Sequence, residues 1–443
     1  MQHAGITKVD TEFAGPFCYR RFEERYLLTN DLGHWHFVAK AEFKAFVEGS
    51  MDKDSEEYGV LKSKGFIHGE IELEEALRNM RKRYAFLHDG PERHTLGLTS
   101  VDGTGNMALE VGERAIDMAF ISTAQRLEFV FAGGRGNFNW EVLTGLVDFA
   151  NNKNRLARKD VFLLIRGDLG GLTEEQTTWL VDNDFKFEAD ADAATLAGDV
   201  TSLHTAITNL NSALAAKGSD ERVHIRISPS EEIIALGSKA VDAVQSLGCK
   251  TFSLLTSCEG QLSPEPEAFG AFYKAVLTQT LASETELVET TAAEFLTRIV
   301  SGCEARPTET RSPGSDGIGE LSYGWDGTVY SSNEGRFVGE DGDYIFALGN
   351  VTRDGYHDLM THPTVRALVL ASVGDGQPGY SSWVYKPFCG PKPSKNYIDQ
   401  GSVQGRAADS KNFLNNQLIL DEIFKLLGSA SSQSEKLETW TLA

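Results

Sequence analysis

The sequence predicts an α/β fold in which helices cover a sheet of parallel strands, and we expect this sheet to form a partial (β/α)6 barrel. Short apolar segments alternate with helical segments about six times between residues 94 and 300. Each apolar segment ends in a polar or glycine-rich turn, and strands joined through helices run parallel in one sheet. A doubly wound sheet would give the same alternation and stays an alternative. The predicted strands are 94–99, 127–132, 161–165, 185–189, 223–228 and 251–256.

The segments between these strands carry apolar residues at helical spacing. The predicted helices cover 108–123 and 140–151, and further helices begin near residues 173, 200 and 233. Thr173 and Gln176 have the spacing of a capping box, in which two side chains satisfy backbone donors at the start of a helix. We therefore assign residues 92–304 to the barrel-like domain.

Shorter elements flank this domain on both sides. At residues 17–88, two strands joined by a turn precede three helical segments, which predicts a winged-helix-like α+β cap. Residues 305–427 form an irregular, glycine-rich extension that begins with a linker at 305–323 and ends in a helix at 412–427. Residues 428–443 are Ser-rich, and we expect a flexible tail.

The composition argues against binding to nucleic acid or to a membrane. The 443 residues include 64 acidic and 42 basic side chains, for a net charge of −22, whereas nucleic-acid binding needs a basic surface. No apolar run is long enough to cross a bilayer, and the polar N-terminus lacks the apolar region of a signal peptide. We expect a cytoplasmic protein.

The cysteines are few and scattered. Their odd number and wide spacing fit neither a disulfide framework nor a zinc site. Free thiols of this kind suit a reducing cytosol. The five residues are Cys18, Cys249, Cys258, Cys303 and Cys389.

Two stretches near the C-terminus resemble a known family. Residues 324–335 read GWDGTVYSSNEG, and TVRA at 364–367 is followed by YKPFCG at 385–390. These strings resemble the SPASM extension, which binds iron–sulfur clusters in radical SAM peptide-modifying enzymes. Over residues 22–427 the chain resembles the radical SAM maturases of His-Xaa-Ser systems. The N-terminal cap resembles the leader-peptide recognition elements attached to peptide-modifying enzymes.

The resemblance implies a cysteine loop that this chain lacks. In the family, the first barrel strand leads into a CxxxCxxC loop whose thiolates bind an iron–sulfur cluster, and one iron is left for S-adenosylmethionine. Here the corresponding loop is short and contains Ser100, Asp102 and Asn106 but no cysteine. Because a cluster needs several thiolate ligands, we expect the binding of the cluster and of S-adenosylmethionine to be lost, and no cofactor to be bound.

A second family motif is altered at the end of the next strand. The family has Gly-Gly-Glu there, whose carboxylate holds the amino group of the cofactor, whereas here Gly133 and Gly134 precede Arg135. A guanidinium group only donates hydrogen bonds and repels an ammonium group. Arg135 therefore either pairs with acids on neighbouring strand ends or helps to bind an anionic ligand. The candidate ligand site at the barrel mouth consists of Gly133, Gly134, Arg135, Asp168, Glu188 and Asp190.

The extension departs from the family in the same direction. Apolar and aromatic side chains at lost cluster positions could fill the space that a cluster occupies. Cys389 is the only remaining family-like cysteine, and we expect it to be a buried thiol and not a nucleophile or metal ligand. By alignment with the family, the lost ligand positions lie at or near Ser332, Val369, Val373, Tyr380, Trp383, Lys392 and Leu414.

Three functional hypotheses follow. The first is a catalytically inactive scaffold that binds a peptide, for instance as a strand added to the N-terminal hairpin, or an active peptide-modifying enzyme in a hetero-oligomer. The second is an enzyme with non-radical chemistry at the barrel mouth. The third is a radical SAM peptide maturase, as the resemblance alone would imply.

Overall fold

The computed structural model describes residues 9–70, 73–83, 85–133, 138–198, 200–219, 223–257, 259–301, 314–429 and 431–441. The N-terminal unit is a three-stranded antiparallel sheet with helices beside it, and its core includes the stacked rings of Tyr26 and Phe43, whose centroids are 4.1 Å apart. The predicted pair of strands is confirmed, but the first strand of the sheet was missed. The elements are β1 (Cys18–Phe22), β2 (Arg25–Thr29), β3 (Trp35–Ala39), α1 (Lys40–Val47), α2 (Glu56–Ser63) and α3 (Leu73–Arg83).

The central region alternates strands and helices, as the sequence predicts. All six predicted strands are present, and the capping box of Thr173 and Gln176 opens a helix. The strands are β4 (Arg93–Gly97), β5 (Arg126–Ala132), β6 (Asp160–Gly167), β7 (Phe185–Ala191), β8 (His224–Ile227), β9 (Thr251–Leu254) and β10 (Val288–Glu289). The helices are α4 (Leu109–Ile121), α5 (Trp140–Ala157), α6 (Glu174–Asp182), α7 (Ala193–Ala197), α8 (Thr201–Ala216), α9 (Glu231–Leu236), α10 (Lys239–Ser246), α11 (Pro266–Ala282) and α12 (Thr290–Ser301).

The extension adds both strands and helices. Its strands are β11 (Glu320–Tyr323), β12 (Thr328–Tyr330) and β13 (Ala347–Asn350). Its helices are α13 (Asn333–Glu340), α14 (Tyr356–Met360), α15 (Pro363–Ser372), α16 (Pro393–Gln400), α17 (Lys411–Leu427) and α18 (Ser432–Glu438).

One open ten-stranded sheet joins the central region to the extension, in the order β10-β9-β8-β7-β6-β5-β4-β11-β12-β13. The strands from β4 to β10 are parallel and follow each other in chain order. A doubly wound sheet reverses its strand order at a switch point, so the uninterrupted order excludes that alternative. The sheet does not close among the described residues, and it is compatible with a partial barrel.

The two faces of the parallel sheet differ in polarity. Odd-numbered residues of β5 and β6, such as Phe129, Phe131 and Ile165, are fully buried in the main hydrophobic core with residues of the covering helices. Alternate residues of a strand point to opposite faces. The even-numbered residues Arg126, Glu128 and Arg166 therefore lie on the other face, where they line a cavity. The sequence did not predict this polar interior.

The extension is more ordered than the sequence predicts. Residues 305–323 were expected to form a linker, and the part of this segment up to residue 313 lies outside the described residues. In the described part, Ser315 and Asp316 are buried, and β11 pairs in parallel with β4. The barrel-like domain and the extension thus share one sheet.

The expectation of a flexible tail at 428–443 is wrong for residues 431–441. Helix α18 lies there, and Leu437 and Trp440 are buried against the main core. The Lys436 ammonium donates to the carbonyl of Thr280 in the last turn of α11 (3.1 Å) and to that of Ser283, just after the helix (2.5 Å). Apolar burial and these hydrogen bonds fix a segment whose Ser-rich composition suggested a loose chain.

Among the described helices, none combines the length and the apolar character needed to span a bilayer.

Candidate functional site

The loop at residues 98–107, which follows β4, is a closed turn. Its two ends are bound to each other, since Met107 N donates to Leu98 O at 2.9 Å and Ser100 N donates to Gly105 O at 2.9 Å. Within the turn, Oδ1 of Asp102 accepts from the Ser100 hydroxyl at 2.6 Å and from Thr104 N at 2.9 Å. The side chains of Ser100 and Asp102 are therefore engaged inside the loop.

The extension holds the outside of this turn. Oε2 of Glu340 on α13 accepts from Val101 N at 2.6 Å. A methyl group added to Gly105 would lie only 2.4 Å from the Trp325 ring, so the turn and the indole are in close contact. Asn106 pairs with Thr99 in an isolated antiparallel bridge.

The residues of this loop do not fit an iron–sulfur cluster. A cluster would need thiolate ligands, whereas the loop carries Ser100, Asp102 and Asn106. The side chains of Ser100 and Asp102 bind each other, and Asn106 takes part in the bridge that closes the turn. Within the described part of the chain, no three His, Cys, Asp or Glu side chains are grouped so that they could hold a metal ion. Cys258 and Cys303 lie outside the described residues.

The acids of β7 are held by two arginines from neighbouring strands. Glu188 accepts from Arg166 of β6 at 2.6 Å, and Asp190 accepts from Arg226 of β8 at 2.7 Å. Arg226 also binds Glu259, after β9, at 2.6 Å. The parallel register brings these residues together, because Arg166 is opposite Glu188 and Asp190 is opposite Arg226.

The arginines of this network stabilise the ionised forms of Glu188 and Glu259. Burial acts to raise the pKa of Glu188, but Arg166 and Arg226 outweigh it, so that its pKa lies well below the usual range. Burial likewise acts against the ionisation of Glu259, and the same two arginines lower its pKa. Burial lowers the pKa of His224 to about 4, and its ring nitrogens lie 3.1 Å from the hydroxyls of Thr251 and Ser253. At neutral pH Glu188 and Glu259 are therefore ionised and the imidazole is neutral, whereas desolvation raises the pKa of Asp190 against the attraction of Arg226.

The candidate site predicted at the barrel mouth is therefore assembled differently. Glu188 and Asp190 come together, but their partners are Arg166 and Arg226, which the sequence reasoning missed. Asp168 lies in the exposed turn after β6, where its Oδ1 accepts from Gly170 N at 2.9 Å. Gly133 directly follows β5, and its N–H donates to the carbonyl of Arg166 at 3.4 Å. Gly134 and Arg135 lie outside the described residues.

Charged side chains line a cavity of about 310 Å³ on the polar face of the sheet. Arg93 of β4 binds Glu128 of β5 at 2.6 Å, and the Arg126 guanidinium lies 3.8 Å from the centre of the Phe162 ring. The interior therefore contains matched acids and bases. The sequence reasoning did not single out Arg93, Arg126, Glu128, Arg166, Lys186, His224, Arg226 or Glu259.

In the extension, aromatic rings pack around two of the positions that the resemblance assigns to cluster ligands. Tyr380 and Trp383 are buried, with ring centroids 5.4 Å apart, and Phe413 lies 4.1 Å from Trp383. The Tyr380 hydroxyl donates to the carbonyl of Cys389, which is itself buried. Burial raises the pKa of the Cys389 thiol to about 12. The expectation of a buried thiol is confirmed.

A buried ion pair stands at another of these positions. The Lys392 ammonium donates to Glu334 at 3.0 Å, and Lys395 lies 3.6 Å from the same carboxylate. Burial acts to raise the pKa of Glu334, but the two lysines lower it well below its usual range. Ser332 caps α13 by accepting from Gly335 N at 3.2 Å.

The remaining positions differ from one another. Val373 is 40% exposed and does not follow the expectation of apolar filling. Val369 and Leu414 are half-buried, and Val369 packs against the main core.

Comparisons with known proteins identify the fold. No family model and no curated protein sequence matches the chain. Native anSMEcpe with bound AdoMet and Kp18Cys peptide is similar at a TM-score of 0.57 and 13% identity, over 76% of this chain and 98% of that chain. Native anSMEcpe with bound AdoMet matches with a TM-score of 0.59, again at 13% identity and over 76% and 98% of the two chains. SuiB of Streptococcus suis bound to precursor peptide SuiA matches at a TM-score of 0.49 and 12% identity, over 90% and 98%.

The fold is thus that of the radical SAM/SPASM peptide maturases. At this identity the likeness concerns the fold alone.

Proposed function

We propose that this protein is a catalytically inactive relative of the radical SAM/SPASM peptide maturases and serves as a scaffold that binds a peptide or an active partner enzyme. The observation that carries the proposal is the closed turn at 98–107. Its hydroxyl, carboxylate and backbone groups bind each other, and Gly105 packs against Trp325. A cluster at this place would need both different ligands and a longer loop.

The charge network inside the sheet supports a structural use of the interior. A catalytic acid or base needs a pKa near the working pH, whereas Glu188 and Glu259 are held ionised by Arg166 and Arg226. Desolvation raises the pKa of Asp190, which is the one observation on the side of non-radical chemistry, but its carboxylate is bound to Arg226 at 2.7 Å. We also propose a cytoplasmic location, which the scattered cysteines support.

Metal analysis and a cleavage assay test the loss of radical chemistry. The protein is purified without oxygen, reconstituted with iron and sulfide, and assayed for bound iron, visible absorbance and 5′-deoxyadenosine release from AdoMet with dithionite. We expect no stoichiometric iron and no cleavage above the protein-free blank. Single serine variants of the five cysteines are the matched controls, and we expect the same residual iron in each. A cubane signal that one of these substitutions abolishes would overturn the proposal.

The first strand of the N-terminal sheet offers a surface for a peptide. Among the described residues β1 pairs with β2 alone, and a two-residue turn with Glu23 at φ 51° joins them through the pair Phe22–Arg25. The residues that flank such a turn are hydrogen-bonded to each other, and hydrogen-bonded pairs alternate along the strands. The N–H and C=O groups of Tyr19 and Arg21 therefore point away from β2, where an added strand would pair with them.

The other edge of this sheet is less open. The carbonyl of Trp35 on β3 accepts from the Lys64 ammonium at 2.9 Å, and His36 of the same strand pairs with Glu57 of α2 at 3.0 Å. In contrast, a cavity of about 510 Å³ lies between the β1–β2 turn and the end of α17. We therefore propose β1 as the edge that receives the peptide.

A proline substitution tests this edge. Arg21→Pro removes an outward N–H without removing a hydrogen bond to β2, and Arg21→Ala is the matched control. The probes are fluorescein-labelled synthetic peptides that cover the short reading frames beside the gene, and anisotropy measures their binding. We expect Arg21→Pro to weaken binding about fivefold to tenfold, as for one lost hydrogen bond, and Arg21→Ala to leave it within about twofold. Equal binding by both variants would rule out this edge.

A further inference from the structure

A third cavity lies at the carboxyl ends of the parallel strands. Its volume is about 560 Å³, within the range of roughly 300–1,000 Å³ that is usual for ligand sites. The loop after β4, the segment after β9, the β11–β12 turn and helix α13 form its walls. The lining includes Glu259 of the charge network and Ser100 and Asp102 of the closed turn. It also includes Trp325 and Glu340, which contact that turn.

The walls of this cavity are acidic and aromatic. The lining contains five carboxylates and no lysine, arginine or histidine among the described residues. Glu259 and Glu340 are paired with arginines behind the wall, at 2.6 and 2.7 Å. Asp326 and Asp341 have no described ion pair and are exposed. The open side of the cavity therefore carries uncompensated negative charge.

Like the negative charge, the aromatic rings of the lining favour a cationic ligand. Trp325 is 37% exposed and Tyr344 is 61% exposed, and both line the cavity together with Phe337. The face of an aromatic ring attracts a cation, most strongly in the case of tryptophan. Carboxylates and aromatic faces around one cavity are the features that bind guanidinium or ammonium groups.

We propose that this cavity binds a cationic side chain, arginine or lysine, of a partner peptide. The inference rests on the proposed scaffold function and names the chemistry of its ligand. A charge of −22 on the whole chain attracts a basic peptide at long range, and the cavity then selects the position of one basic residue. An apolar or acidic side chain would leave Asp326 and Asp341 without a counter-charge.

Short peptides test this assignment directly. The probe is a fluorescein-labelled Gly-Gly-Arg-Gly-Gly amide, compared with the lysine, citrulline and glutamate peptides by anisotropy at low salt. Citrulline keeps the shape and most hydrogen bonds of arginine but has no charge. We expect arginine and lysine to bind, and citrulline to bind about tenfold more weakly, as for the loss of one cation–π contact and one ion pair.

Variants of exposed residues locate the site. The double variant Asp341→Asn with Tyr344→Ala should weaken binding of the arginine peptide about tenfold. Asp148→Asn on α5 removes the same charge from an exposed position on a covering helix and should change binding less than about twofold. Equal binding of arginine and citrulline, or equal weakening in Asp148→Asn, would overturn the assignment. A quaternary ammonium compound that binds while both basic peptides fail would also overturn it.

The two proposals fail on different measurements. Bound iron and AdoMet cleavage would refute the inactive scaffold and leave these titrations unchanged. Peptides that bind through the β1 edge with no preference for arginine over citrulline would refute the cavity and leave the scaffold standing.

Discussion

The resemblance assigns iron–sulfur clusters to two regions, the loop after β4 and the C-terminal extension. These regions differ in the interactions that take the place of a cluster. In the loop, a short turn closes on itself through backbone and Asp102 hydrogen bonds. In the extension, buried side chains occupy the interior, including the Trp383–Phe413 contact and the Lys392–Glu334 ion pair. The shortened loop after β4 leaves no space that side chains must fill, whereas the longer loops of the extension need packed side chains to stay ordered. Substitutions in the extension should therefore lower the free energy of unfolding more than substitutions in the loop after β4.

The largest effect is expected for Trp383→Ala. Trp383 is buried, contacts Tyr380 and Phe413, and donates from Nε1 to Gln417 at 3.0 Å. Loss of this side chain should lower the free energy of unfolding by about 4 kcal/mol, because it leaves a cavity. Urea denaturation followed by circular dichroism measures the change.

Val373→Ala is the matched control for this prediction. Val373 is also aligned with a family cysteine, but it is 40% exposed, so the expected cost is below about 0.5 kcal/mol. Similar costs for the two variants would mean that the aromatic cluster does not hold the extension together.

The next largest effect is expected for Lys392→Met. Its ammonium and the Glu334 carboxylate are 3.0 Å apart, and both side chains are 8% exposed. Removal of one partner from a buried ion pair should cost about 3 kcal/mol, because the carboxylate loses most of its counter-charge. The double variant Lys392→Met with Glu334→Gln should recover part of this loss in the same urea experiment. No recovery would show that Lys392 acts through other contacts.

A smaller effect is expected in the closed turn. Gly105→Ala would place a methyl group 2.4 Å from the Trp325 ring, and the required shift should cost about 2 kcal/mol. Trp325→Ala should relieve this clash, so the two substitutions should be coupled in a double-mutant cycle. Gly171→Ala, at a turn glycine with no neighbour within 4 Å of the new methyl group, is the control and should be nearly neutral. Additive effects of Gly105→Ala and Trp325→Ala would exclude the contact as the cause.

Local patterns predicted the parallel sheet well because each strand and helix there carries its own periodicity. The polar face of the sheet also has a signal in the sequence, namely the alternation of charged and apolar residues within its strands. Parallel strands buried on both faces read as continuous apolar runs, yet Lys186, Glu188 and Asp190 alternate with apolar residues, as do His224 and Arg226. This alternation predicts a charged face, and the register then brings the acids to Arg166 and Arg226.

The extension was harder to predict because its order comes from distant contacts. Strand β11 has four residues and pairs with β4, more than 200 positions earlier in the chain. Helix α18 is held by Leu437 and Trp440 against the core, which its Ser-rich sequence does not reveal. The lining of the cavity for which we propose a cationic ligand likewise comes from separate segments of the chain.

The smallest expected effect is a pH dependence at the junction of the two regions. His94 of β4 is fully buried, with Nδ1 3.0 Å from the Tyr323 hydroxyl of β11 and Nε2 3.1 Å from the Pro91 carbonyl. A neutral ring satisfies both contacts, since Nε2 donates to the carbonyl and Nδ1 accepts from the hydroxyl. Burial lowers the pKa of His94 from 6.5 to about 4.

The sign of the effect follows from proton binding. Between pH 6.5 and 4 the unfolded chain takes up a proton at His94 and the folded protein does not, so folding stability falls as the pH falls, by about 1.4 kcal/mol per pH unit from this group. In His94→Gln this contribution is absent. We therefore expect the free energy of unfolding to fall less steeply between pH 6.5 and 5 in the variant than in the parent, although the variant is less stable at pH 7. Parallel pH profiles would show that His94 is protonated in the folded state, and the junction between the sheet and the extension would then hold a charge.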